Sequence, residues 1–110
     1  MRILKYELEI TDHQRIEVGN NQAIPLSVAE QKGKLMLWTY VLEDHYPKNV
    51  TGTIIVDIIG TGNLCYDGSV NLHNFIGTAV MTNGLVFHVF ARFEAYETSG
   101  ITKFERRYEL

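Results

Sequence analysis

Six of the seven residues from Thr53 to Ile59 are β-branched, with Asp57 the one interruption. Branching at Cβ restricts χ1 and suits the pleated surface of a sheet better than the packed turns of a helix. A second apolar run, Leu85 to Phe93, puts Leu85, Phe87, Val89, Ala91 and Phe93 on one face and Val86, His88, Phe90 and Arg92 on the other. Gly60-Thr61-Gly62 follows the first run and Asn83-Gly84 precedes the second. Two such runs bounded by turn residues predict the buried middle of a β-sheet. Asn-Gly between apolar strands predicts a hairpin with a type I′ turn, which needs positive φ at both positions.

The rest of the chain follows the same period. Leu4, Tyr6, Leu8 and Ile10 alternate with Lys5, Glu7 and Glu9, as in a strand with one wet face. Thr11 to Gln14 reads as a turn, and Ile16 and Val18 then predict a short hairpin partner for that strand. Pro25 suits the start or edge of a strand because it donates nothing to a ladder. Lys32-Gly33 predicts a hairpin turn. From Leu35 to Leu42 nearly every residue is apolar: Leu35, Leu37 and Val41 on one face, Met36, Trp38, Tyr40 and Leu42 on the other. A strand with two apolar faces is central, covered on both sides by protein or by a second subunit. Residues 43–50 read as a loop, residues 60–74 as the longest irregular stretch with a tight turn at Asp67-Gly68, and Gly77 as a bulge in the strand Phe75–Met81. Residues 95–110 form a tail or a last strand. The chain is expected to be all-β: one domain over residues 1–110, an antiparallel sandwich or partly open barrel of seven or eight short strands.

Composition narrows the function classes. A net charge of −3 with acids and bases interspersed disfavours nucleic acid, whose binding rests on a concentrated basic surface. Cys65 is the single cysteine, so an intramolecular disulfide and a thiolate metal cluster are both excluded. No apolar run reaches the length of a membrane span, and the alternating strand that starts at Arg2 does not resemble a signal peptide. A soluble protein of the cytoplasm, with no membrane partner, is expected.

The residues able to do chemistry are few. His13, His45, His73 and His88 lie in separate elements with no metal-ligand spacing, so neither a metal nor another cofactor is expected. His88, inside a strand, reads first as a half-buried histidine bonded to a polar neighbour. Gly60-Thr61-Gly62-Asn63 follows a buried strand as phosphate loops do, but no Lys-Ser/Thr pair follows it. It reads as a plain loop whose N–H groups remain able to meet an anion or a partner. Asp57 requires a structural ion pair or an edge position. Cys65 is expected to be buried as a small hydrophobe. Trp38 and Tyr40 read as core, whereas Tyr46 and Tyr66 fall in loops, where exposed rings suggest binding. An enzyme would require His88, Asp57 and Cys65 or Asp67 to converge in one pocket.

In order along the chain, Lys5-Tyr6-Glu7-Leu8, Asp12 with Gln14 and Ile16, Gly33 with Leu37-Trp38, Ile58 with Gly60-Thr61-Gly62, Ile76-Gly77-Thr78, and Gly84 through Phe90 carry a resemblance. Over residues 4–94 the chain resembles a family of small uncharacterised bacteriophage and prophage proteins, a domain of unknown function. The family pattern has Trp where Phe87 stands and His where Asn63 stands, which weakens any role for a histidine in that loop. The resemblance implies a phage accessory protein in the host cytoplasm and supplies no catalytic residues. The expected function is therefore non-enzymatic binding that inhibits or sequesters a host factor such as one of defence. A small-molecule or nucleotide-signal sponge with its site at a subunit interface is the alternative, and a phage structural component the second alternative. The expected contact residues are Gly60, Thr61, Gly62, Asn63, Tyr66, Tyr46, His88 and Arg92. A homo-oligomer is expected, because doubly apolar strands in a short chain need cover.

Overall fold

The structure, a computed structural model, describes residues 1–66 and 68–98 and the backbone of residues 105–107. Seven strands build it: β1 (Arg2–Leu8), β2 (His13–Gly19), β3 (Gln22–Gln31), β4 (Lys34–Leu42), β5 (Val50–Gly60), β6 (Phe75–Val80) and β7 (Val86–Thr98). A short eighth, β8 (Glu105–Arg107), pairs antiparallel with the end of β7. The only helical element among the described residues is a 3₁₀ turn, Leu72–Asn74, and no helix is long and apolar enough to cross a membrane.

The all-β expectation holds. All pairings are antiparallel, in a three-stranded sheet of order β1-β4-β3 and a second sheet whose main path is β2-β5-β7-β6. The sheets face each other without closing into a barrel. On one flank β3 lies against β6 and β7; β1 and β2 are the outer strands of the other flank. The sandwich interior takes Leu35, Leu37 and Val41 from β4, Ile54, Val56 and Ile58 from β5, and Val89 and Ala91 from β7. Burying each Leu, Ile or Val side chain contributes about 1.5–3 kcal/mol. A second small cluster joins Tyr46, Val50 and Ala95 to Phe93. Gly52 makes it possible: a Cβ there would lie 2.6 Å from Phe93 Cζ and 2.5 Å from the Asn21 carbonyl oxygen.

Several sequence expectations are met. Lys32 and Gly33 both have positive φ, 53° and 81°, and join β3 to β4 by a type I′ turn. Pro25 sits in β3, an edge strand, next to a shift in register. The register of β6 shifts between Phe75 and Gly77, the bulge predicted there.

Others need correction. β1 and β2 do not form a hairpin: β1 pairs with β4, and β2 with β5. Between them the Gln14 amide donates to the Glu9 carbonyl (2.8 Å) and accepts from the Glu9 N–H (3.1 Å). It thus takes both backbone groups that a paired residue would use, and the chain crosses from one sheet to the other. The Asn83-Gly84 connection is a hairpin but not type I′. Only Gly84 has positive φ (89°), the Gly84 N–H donates to Met81 O (2.9 Å), and Met81 N–H donates to Leu85 O (2.8 Å). This is a three-residue loop ending in a left-handed glycine, with the Asn83 side chain accepting from Leu85 N–H (3.0 Å). β4 is central, yet only one of its faces is fully covered: Met36, Trp38, Tyr40 and Leu42 are half-buried. β7 runs on to Thr98, past the boundary drawn at residue 95. The proposed turn at Asp67 and the start of a last strand at residues 101–104 lie outside the described residues.

Candidate functional site

Two surfaces stand out, a cleft at one end of β5 and the outward face of the three-stranded sheet. The cleft, with a volume of about 270 Å³, lies between the start of β2, the end of β5 and the loop that follows. Register places His13 opposite Asp57, and His13 Nδ1 lies 2.7 Å from Asp57 Oδ1. A carboxylate oxygen accepts, so Nδ1–H donates and Nε2 is the nitrogen left for other contacts. Asp57 thereby has the hydrogen-bonded partner that a carboxylate in an apolar strand needs. Asp12, Gly60, Asn63, Cys65, Tyr66 and Ser69 complete the polar lining, while Ile58, Ile59, Leu64 and Val70 supply apolar wall. The Asn63 N–H donates to Gly60 O (3.0 Å), closing a turn across Thr61 and Gly62, where Gly62 takes φ 86°.

The cleft gathers only part of the expected set. Gly60, Asn63 and Tyr66 line it, and Tyr66 is 89% exposed, as predicted for a loop ring. Thr61 and His88 sit beside it and are joined to each other. Thr61 Oγ1 lies 2.7 Å from His88 Nε2, and Thr78 Oγ1 lies 2.9 Å from Nδ1. Both ring nitrogens are therefore occupied, and His88 is the half-buried, bonded histidine expected. Arg92 pairs across the sheet with Ile55, stands 3.6 Å from the Glu94 carboxylate and does not line the cleft. Glu94 also accepts from the Tyr96 hydroxyl.

Tyr46 is a correction. It is 6% exposed, stacked on Phe93 with ring centroids 6.2 Å apart, at the opposite end of β5 from the cleft. Cys65 is a second correction, being exposed rather than buried. The convergence required of an enzyme does not form as drawn, because His88 does not line the cleft that Asp57 and Cys65 share. His13 occupies it instead. Sequence spacing gave no sign of that histidine, which meets Asp57 only through the pairing of β2 with β5. Among the described residues no group of three or more His, Cys, Asp or Glu is placed to hold a metal ion.

The outward faces of the two sheets differ. On the β2-β5-β7 face, Arg15 and Arg92 flank Ile55, and Glu17 and Glu94 flank Thr53. Ile55 is only 1% exposed there, since long charged side chains cover apolar surface with their stems. On the outward face of β1-β4-β3, Ile3, Tyr40 and Ile24 stand side by side, and Trp38 and Met36 continue the same face of β4. Ile3 is 58% and Ile24 46% exposed, and Leu26 is exposed beside them at the irregularity of β3. Contiguous apolar surface rimmed by charge marks a contact site on soluble proteins. Sequence reading missed it because Trp38 and Tyr40 were assigned to core.

The family model described as a domain of unknown function (DUF7352) matches residues 1–99. No curated protein and no solved structure matches the chain.

Proposed function

The chain belongs to the DUF7352 family, a family of unknown function, and from that premise we propose that it acts by binding rather than catalysis. It occupies a partner protein with the outward face of β1-β4-β3. The observation that carries this reading is the row Ile3–Tyr40–Ile24 with Trp38 beside it, exposed on one sheet while the other sheet covers its own apolar residues with arginines. Aromatic anchors amid aliphatic surface are the usual centre of a protein interface. The resemblance to phage and prophage proteins extends the proposal to a host factor as the partner, held stoichiometrically.

Trp38 is the single tryptophan and reports on the face directly. A purified partner should shift its emission to the blue and shield it from acrylamide as the complex saturates. Ile24→Asp, which places a charge on the exposed row, should weaken the complex by about tenfold or more, as truncating a hot spot does. A complex that forms with Trp38 still open to quencher, or that ignores Ile24→Asp, overturns the reading.

The cleft supports a second reading, a small-molecule site. Its two carboxylates, Asp12 and Asp57, oppose a phosphate, and Arg92 is not there to receive one. The lining therefore favours a neutral or cationic ring compound, such as a nucleobase or a heterocyclic amine, over a nucleotide. Ligand stabilises by mass action, so a thermal-shift screen of nucleobases, nucleosides and nucleotides tests it. Shifts with bases that vanish in His13→Ala support this reading, and no shift with any of them removes it.

A further inference from the structure

Apart from the three-residue β8, four strands border the two sheets, and three of them carry a break in register. β3 carries Pro25 and a register shift between Pro25 and Ser27. β2 shifts between Glu17 and Gly19, and β6 between Phe75 and Gly77. Bulges and prolines at edges keep a sheet from recruiting a further strand. β1 has neither: its seven residues run in unbroken register with β4 from Arg2↔Val41 to Leu8↔Leu35. Among these four bordering strands, β1 alone offers a regular free side.

Its side chains are self-complementary. The outward face of β1 carries Ile3, Lys5 and Glu7, and the inward face carries Leu4, Tyr6 and Leu8, with Leu4 and Tyr6 only half-buried. Consider an antiparallel copy with its two-fold axis at Tyr6. Lys5 then stands opposite the partner's Glu7, and Glu7 opposite the partner's Lys5. Leu4 meets the partner's Leu8, and Tyr6 meets the partner's Tyr6. Moving the axis one residue either way sets Lys5 against the partner's Lys5 or Glu7 against the partner's Glu7, and like charges directly opposite destabilise a pair. One register is favoured by charge, and it is the one that matches apolar residues across the inward face.

We propose that β1 is the self-association edge of this protein, pairing antiparallel with β1 of a second copy about Tyr6 to make one six-stranded sheet. The join is isologous, as a two-fold interface must be. It satisfies edge N–H and C=O groups in the manner of strand addition, covers the half-buried Leu4 and Tyr6, and brings two copies of the Ile3–Tyr40–Ile24 surface into one plane. The pairing does not depend on the proposed partner-binding function: Ile24→Asp leaves β1 untouched, and charge changes on β1 leave Ile24 and Trp38 in place.

Sedimentation equilibrium over a range of concentrations tests it with a charge exchange. The wild-type chain should be a dimer in reversible equilibrium. Lys5→Glu and Glu7→Lys, each creating two like-charge pairs, should each raise the dimer Kd by about tenfold; each also removes an exposed contact within the chain, Lys5 Nζ to Gln31 Oε1 (2.6 Å) or Lys34 Nζ to Glu7 Oε1 (3.1 Å), so melting of the diluted monomer is measured beside each Kd. Combining Lys5→Glu with Glu7→Lys should restore the dimer, since the pairs are opposite in sign again. A wild-type monomer at all concentrations overturns the proposal. So does a dimer indifferent to the single changes, which would place the contact on another surface, or a double variant no better than the singles.

Discussion

Thr39 is fully buried on the inward face of β4, and its hydroxyl has no hydrogen-bond partner. An orphaned buried hydroxyl forfeits its water contacts without replacement. Thr39→Val keeps the shape and removes the polar atom, so it should raise stability by about 1 kcal/mol, read as a higher urea midpoint at unchanged slope. Tyr6 gives a second, pH-dependent outcome. Burial pushes its phenol pKa up from the ordinary value of 10.0. The folded state then keeps a proton that the unfolded state releases, so this contribution is intact below the unfolded value. It is lost as pH rises through the raised folded value. Tyr6→Phe should therefore unfold less steeply than wild type in alkali above pH 10 and equally at neutral pH, measured by urea titration at each pH. The same scale shows where sequence reading stops. His88 and Asp57 were legible because an isolated polar group in an apolar strand must find a partner. Tyr46 and Cys65 were not, since the burial of the first depends on how Phe93 crosses Gly52 and the exposure of the second on how the loop after β5 projects. Neither leaves a mark in local sequence.

At the turn between β3 and β4, Lys32 takes φ 53°. A side chain with a Cβ costs about 1–2 kcal/mol in that left-handed region, and Asn is among the few residues that enter it readily. Lys32→Asn should thus stabilise the protein by about 0.5 kcal/mol or more, with the melting temperature as the measure. The hairpin shows why elements were more readable than their partners. Two residues specify a type I′ turn and with it the register of β3 on β4 from Gln31 back to Ser27. Between β1 and β2 the chain has turn residues too, but the Gln14 side chain takes both backbone groups of Glu9 and β2 lies in the other sheet. Periodicity states which side of a strand faces inward; it does not state which strand lies next to it.

Across the molecule, that distinction sets how folding must proceed. Among the seven long strands, β3–β4 and β6–β7 pair as neighbours in sequence, whereas β1–β4, β2–β5 and β5–β7 join strands across intervening chain. Loop closure must precede the contacts that reward it, and folds dominated by such pairings refold in milliseconds to seconds. β5 is the strand on which the second sheet depends, being paired along its whole length with β7 and from Gly52 to Asp57 with β2. β1 adds to β4 from the outside and completes the flank furthest from the β3–β6 contact. Val56, in the centre of β5, and Leu8, at the end of β1, are both buried, so truncating either leaves a cavity of comparable kind. If β5 and β7 join the two hairpins in the transition state while β1 docks afterwards, the two truncations should act on opposite limbs of the chevron. Val56→Ala should slow refolding, with φ above about 0.5, while Leu8→Ala should chiefly speed unfolding, with φ near zero. Stopped-flow emission of Trp38, which lies on β4 between β1 and β3, follows both limbs. Equal φ values at the two sites would mean that β1 is already in place when the sheets meet, and that the unbroken edge forms with the core and not after it.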